Sequence, residues 1–253
     1  MQRLLSSEVA ITMDGLQRHS IVVDKMRRSI PAWQERVRDP SLTVLLVLEI
    51  CAIFLAAPLA AKGLPVARAV ADALVLAVLF VVVVLSPRLG SIILILTGLA
   101  AIAASALLDW ELSPAAATVL HRGGNILAYS ALIWVVGRAV YAPGRITFYR
   151  LEAAVVLYLS LATIFASAYD LIWELSPNAF SNVVARGGSL EEAATMLYFS
   201  LTTLTTTGYG DIVAVDPFAR SLANLEAVLR QFYLAITVAL LVTLELQDRS
   251  GRP

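Results

Sequence analysis

Residues Thr205 to Asp211 read Thr-Thr-Thr-Gly-Tyr-Gly-Asp. The chemistry open to such a stretch is coordination by backbone oxygen. A cation that leaves water needs its hydration shell replaced by fixed oxygens, and successive carbonyls can do this if they all point at one axis. A regular strand alternates its carbonyls, so the chain must visit conformations closed to residues bearing a Cβ. Gly208 and Gly210 permit this at little steric cost. Thr206 adds a hydroxyl at the inner end, while Thr207 and Tyr209 would direct their side chains away from the axis into bracing packing. Gly-Tyr-Gly-Asp alone also fits a surface turn of a soluble protein, so the flanks decide between the two readings.

The flanks favour coordination. Leu190–Leu204 reads as a short helix that Ser189 can cap, with Glu192 three residues later in a capping-box pattern. A long apolar span follows. Helix, glycine-bearing stretch and spanning helix together resemble the pore loop of P-loop potassium channels, and among these the prokaryotic six-span type without a voltage-sensing arginine array. The resemblance covers roughly residues 147–246 and is weak over the first four spans.

The carbonyl mechanism of ion selection belongs to that family and is taken from the resemblance. It implies potassium sites at the carbonyls of Thr206, Thr207, Gly208 and Tyr209, with the Thr206 hydroxyl at the bottom and Gly210 closing the outer end. Potassium is then the permeant ion, and no cofactor is implied. Many relatives carry an aliphatic residue where this chain has Thr207, which is still β-branched but brings a hydroxyl that needs a partner. Tyr198 and Phe199 fall where relatives place bracing aromatics, and Tyr198 becomes a candidate hydrogen-bond partner for Asp211. Thr202 falls where some relatives keep a buried acid. For Tyr198, Phe199 and Thr202 the alternative is ordinary core packing. The pore helix would aim its C-terminal end, about half a negative charge, at a central cavity. The filter stretch occurs once, and a ring of four is needed, so a homotetramer is implied.

Composition fits this setting. The chain has 253 residues, 59% hydrophobic and 15% charged, which is outside soluble composition and indicates a membrane protein. Its formal net charge is zero, and no nucleic-acid patch is visible. The one cysteine, Cys51, lies in an apolar span and supports no disulfide framework. His19 and His121 are far apart. No catalytic triad, phosphate loop or metal-ligand spacing appears, so the chain does not read as an enzyme.

The elements that must position the filter read as an all-α membrane protein of six transmembrane helices, with the re-entrant pore helix and filter loop between the fifth and sixth. A helix needs about 20 apolar residues to cross a bilayer. Residues 42–60, 66–85 and 89–108 meet that, with Pro58 near the end of the first. Residues 115–141 are interrupted by Gly123-Gly124, leaving open either one helix with a weak point or a short outer piece before a span from Asn125. A fifth span runs over 147–172 and a last over 218–246. The division follows: a polar, basic N-terminal segment at 1–40, a four-helix transmembrane domain at 41–142, a pore domain at 143–247 and a tail at 248–253. Basic flanks place both termini on the cytoplasmic side of a cell membrane, against the smaller contrary signal of Lys62 and Arg68.

Residues 125–141 carry one arginine, Arg138, rather than an array at every third position, so the first four helices read as a scaffold and not a voltage sensor. On the last span, Arg230 stands where relatives often carry a hinge glycine. A charge at that depth needs a partner, and Glu226, four residues earlier, has the favoured spacing for a helical ion pair. Glu226 and Arg230 are therefore inner-helix gating candidates, with the pair expected to face away from the ion path and stiffen the helix. Two other readings stand beside the channel: a potassium-uptake transporter subunit, disfavoured because those chains use several degenerate pore loops, and a non-conducting or regulatory membrane subunit. The sequence leaves the gating partner unknown.

Overall fold

The computed structural model describes residues 32–62, 65–85, 89–108, 111–141, 148–183 and 189–250. The expected N-terminal segment lies outside the described residues up to position 31, as do Pro143-Gly144. The chain divides into two units, Met1–Pro40 and Ser41–Pro253. In the first, residues 32–40 are helical. The second contains everything that follows.

The described elements are helices with one short strand pair. Helix α1 (Ala32–Cys51) continues through a π-helical turn at Ala52–Ala56 into α2 (Ala57–Ala61). Pro58 explains the wide turn. It has no N–H to donate and its ring crowds the carbonyl four residues back. The turn widens just before it, and Ala57 donates to the Ala52 carbonyl, five residues back. Then come α3 (Pro65–Leu85), α4 (Leu89–Leu107) and α5 (Pro114–Val140). Helix α6 (Phe148–Leu175), strand β1 (Phe180–Ser181), α7 (Ser189–Leu204), strand β2 (Val213–Ala214) and α8 (Pro217–Ser250) complete the chain.

Among the described residues, four helices are long and apolar enough to cross a membrane: Ser41–Leu59, Ala115–Val140, Phe148–Leu175 and Pro217–Thr243. Ala73–Val83 and Leu89–Ser105 form shorter apolar helical stretches.

The glycine pair at 123–124 does not break α5, which is continuous from Pro114 to Val140, opened by the Ser113 hydroxyl accepting from the Ala116 amide. Gly124 is there for close approach. A Cβ on Gly124 would lie 2.7 Å from the Gly98 carbonyl oxygen on α4, and a Cβ on Gly98 would lie 2.7 Å from the Gly124 carbonyl oxygen. Small residues let membrane helices pack backbone against backbone, and Ala101 completes the contact from α4. Gly98→Ala is therefore expected to cost about 1–3 kcal/mol, because the obstacle is backbone that cannot rotate away. Thermal unfolding of the purified protein in detergent measures it, and an unchanged midpoint would refute this packing.

Two cores result. The larger joins Leu42 and Leu45 of α1, Val78 and Val82 of α3, Ile95 of α4, Leu132 and Val136 of α5, and Val156 and Leu157 of α6. The smaller gathers Phe165, Tyr169 and Trp173 of α6, Phe180 of β1, Met196 and Phe199 of α7, and Ala214 and Ala219 beyond residues 205–211. That second core is what holds the loop carrying the glycines.

Candidate functional site

Helix α7 ends at Leu204 and the chain reverses immediately. The Thr205 amide donates to the Leu201 carbonyl at 2.9 Å, and the Thr206 amide to that of Thr203 at 3.1 Å. The Thr202 carbonyl then accepts two amides, from Thr207 at 2.9 Å and Gly208 at 3.2 Å. The inner half of the loop is thus tied to the last turn of α7.

Beyond it the backbone alternates in hand. Thr206, Gly208 and Gly210 have φ of 58°, 54° and 77°, while Thr207 and Tyr209 between them stay at negative φ. A chain alternating between the left- and right-handed regions turns successive carbonyls towards one side, and the alternating sign of φ is the part of that pattern seen here. The two glycines take the left-handed region freely, but Thr206 does not. A non-glycine residue held there costs on the order of 1–3 kcal/mol, maintained only by its surroundings. Sequence reasoning did not find this strain, since Thr carries no signal for positive φ.

The side chains around the loop are mutually bonded. Thr205 and Thr207 hydroxyls lie 2.8 Å apart, so the Thr207 hydroxyl finds its partner within the loop. The Thr206 hydroxyl donates to the Thr205 carbonyl at 2.6 Å. Tyr198 donates to the Asp211 carboxylate at 2.7 Å, and this bond holds the Tyr198 phenol above its ordinary range. The Tyr198 ring stacks on Tyr209 with centroids 6.4 Å apart. Phe199 meets Tyr169 and Phe180 edge to face, at 4.9 and 5.4 Å. Thr202 donates locally to the Phe199 carbonyl at 3.0 Å. Residues 205–211 are exposed in the single chain. The side chain of Ser189, expected to cap α7, lies outside the described residues, while Glu191 and Glu192 occupy the first turn.

The segment after the loop is fixed by a strand pair too short to show in sequence. Phe180 pairs with Ala214 and Ser181 with Val213, antiparallel. The Val215 amide donates to the Ala179 carbonyl at 2.8 Å. Asp216 then caps α8, its Oδ1 accepting from the Phe218 amide at 2.8 Å, with Pro217 at the first helical position.

The Glu226–Arg230 pair is corrected by the structure. Glu226 is fully buried, and its two oxygens accept from Tyr169 at 2.6 Å and Ser200 at 2.5 Å. The local spacing rule loses because residues 57 and 26 positions away place hydroxyls directly on the carboxyl. Arg230 lies beside Tyr158 of α6, and its buried Nε has no hydrogen-bond partner. The Tyr158 hydroxyl donates to the Leu204 carbonyl at 2.8 Å, so Arg230 sits near the C-terminal end of α7.

Sequence reasoning also missed a buried ion pair between Arg122 of α5 and Asp170 of α6. The signal was present, since ionisable residues within apolar spans are rare and mark function or pairing. Tyr169 and Ser200 gave no such signal, since a tyrosine and a serine are ordinary residues in an apolar helix.

Residues 153–246 match the family model described as ion channel. No curated protein and no solved structure matches the chain. The matched stretch begins within α6 and holds α7, the glycine loop and the spanning part of α8. The chain is thus a multi-pass membrane protein whose segment from 153 to 246 is similar to ion channels.

Proposed function

We propose that the chain is one subunit of a potassium-selective channel that conducts passively through a homotetrameric pore. The observation that carries the reading is the alternation of backbone hand over Thr206–Gly210, which supplies the row of carbonyls a dehydrated cation needs. Potassium would sit at the carbonyls of Thr206, Thr207, Gly208 and Tyr209, with Gly210 at the outer mouth. Tyr198, Phe199 and Thr202 brace the loop from α7, with Asp211 at the loop's far end receiving the Tyr198 hydroxyl. In this reading the chain crosses the cell membrane six times, with α3 and α4 as the second and third crossings, which would leave both termini on one side, and the basic flanks favour the cytoplasm.

Assembly into a ring is supported by α8, which is the least buried of the four long spans, 11% against 56% for α6. It leaves Phe218, Leu225, Val228, Phe232 and Ile236 uncovered. In a ring of four, one side of this helix lines the path and another packs on the next subunit. Arg230, held near Tyr158 and the end of α7, lies off the path and replaces the hinge, so gating falls at the filter. Potassium flux into liposomes carrying the purified protein, with sodium as the competitor, tests the reading. Potassium uptake that excludes sodium is expected, and absence of flux would favour the non-conducting subunit.

Little voltage dependence is expected. Helix α5 carries Arg122, already paired with Asp170, and Arg138 in its last turn. Each charge crossing the field contributes only about 2.3 kcal/mol per 100 mV. A gating charge of several units per subunit would contradict this.

A further inference from the structure

The carboxyl of Glu226 lies where three helices of the pore segment meet, each supplying one member of a closed cluster. Glu226 comes from α8, Tyr169 from α6 and Ser200 from α7, and all three are fully buried. Tyr169 occupies one carboxyl oxygen and Ser200 the other. The Ser200 hydroxyl also lies 2.9 Å from the Ala162 carbonyl oxygen of α6. A carboxyl at this depth in a membrane is costly unless its oxygens are engaged, and here both are. Buried networks with every member satisfied fix geometry more strictly than apolar packing does.

What that geometry fixes is the seat of the filter. Ser200 is two residues before Thr202, whose carbonyl receives the Thr207 and Gly208 amides. It is one turn before Leu204, whose carbonyl receives the Tyr158 hydroxyl. A change in the tilt or rotation of α7 is therefore passed through two hydrogen bonds, from the Thr207 and Gly208 amides, to the backbone that alternates in the sign of φ. Thr206 is held in the left-handed region at a cost of about 1–3 kcal/mol, so a loosened α7 would favour its leaving that conformation. We infer that Glu226 is a positioning residue: through Ser200 and Tyr169 it holds α7 in the orientation that keeps the filter in its conducting form. This rests on the potassium-channel reading and adds to it the buried group that sets how long the filter stays open.

The test is single-channel recording from tetramers isolated by gel filtration and placed in planar bilayers, with the potassium-to-sodium permeability ratio read from reversal potentials. Ser200→Ala and Tyr169→Phe each remove one hydroxyl. They are expected to shorten open bursts about tenfold, as loss of one hydrogen bond to a carboxyl in the conducting state alone would do. Glu226→Leu removes both bonds and is expected to shorten bursts further and lower the permeability ratio. Glu226→Gln keeps a carbonyl oxygen to accept and is expected to rescue bursts to within about threefold of the parent. Should Glu226→Leu fail to assemble, the two hydroxyl deletions decide. A role confined to holding the fold would lower thermal stability and leave bursts and permeability ratio unchanged in every assembled variant, and that result would overturn the inference alone. A parent protein that passes no potassium would overturn the channel reading and the inference with it.

Discussion

Gly208→Ala should abolish potassium selectivity while leaving the chain folded and assembled. Gly208 has φ of 54°, and a Cβ built there meets nothing within 4 Å in the subunit. The substitution therefore acts through backbone conformation and not through a collision inside the chain. A left-handed residue with a Cβ costs roughly 1–2 kcal/mol, which over the four subunits of the proposed ring is roughly 4–8 kcal/mol by the same estimate. A thousandfold preference between two ions is worth about 4 kcal/mol at about 1.4 kcal/mol per tenfold. The strain thus equals or exceeds the discrimination it must preserve, and the loop is expected to leave its alternating form. Gly210→Ala, at φ of 77°, should do the same. The potassium-to-sodium permeability ratio measures the effect. An unchanged ratio in either variant would show that these residues do not form the filter.

The largest loss of stability is expected from Arg122→Met. Arg122 and Asp170 join α5 to α6, with side chains only 12% and 5% exposed. Removing one member of a buried pair leaves an uncompensated charge, at a cost of about 3–5 kcal/mol. Replacing both members with apolar residues of similar volume removes that penalty, so Arg122→Met combined with Asp170→Leu should recover most of the loss. Thermal unfolding of the purified protein in detergent distinguishes the cases. If the double variant were no more stable than the single one, the loss would come from packing and not from the stranded carboxylate.

The sequence made some parts of this arrangement legible and hid others, for physical reasons. The glycine positions could be read because left-handed backbone leaves a compositional trace, and long apolar runs announce helices. The Thr206 conformation left no trace, since a β-branched residue is placed there by its neighbours and not by its own preference. Gly123-Gly124 left one helix or two open, because glycine signals both a weak helix and a close contact, and the partner at Gly98 goes with the single continuous helix. Glu226 was assigned a neighbour on its own helix because local spacing is visible in sequence, whereas Tyr169 and Ser200 arrive through tertiary packing. The π-helical turn before Pro58 is similar: a kink was foreseeable, but not that the helix would absorb the proline by widening.

Tyr169 and Asp170 are consecutive on α6, and adjacent residues on a helix point about 100° apart. One reaches the Glu226 carboxyl and the other the Arg122 guanidinium. A small twist of α6 about its own axis therefore moves both attachments at once, in a fixed sense relative to each other. Sliding α6 along its length would shift both along the helix without that turning action. This end of α6 therefore couples α5 to the Glu226 carboxyl as a lever in torsion, so that in the proposed channel a turn of α5 would reach the glycine loop as rotation rather than as displacement.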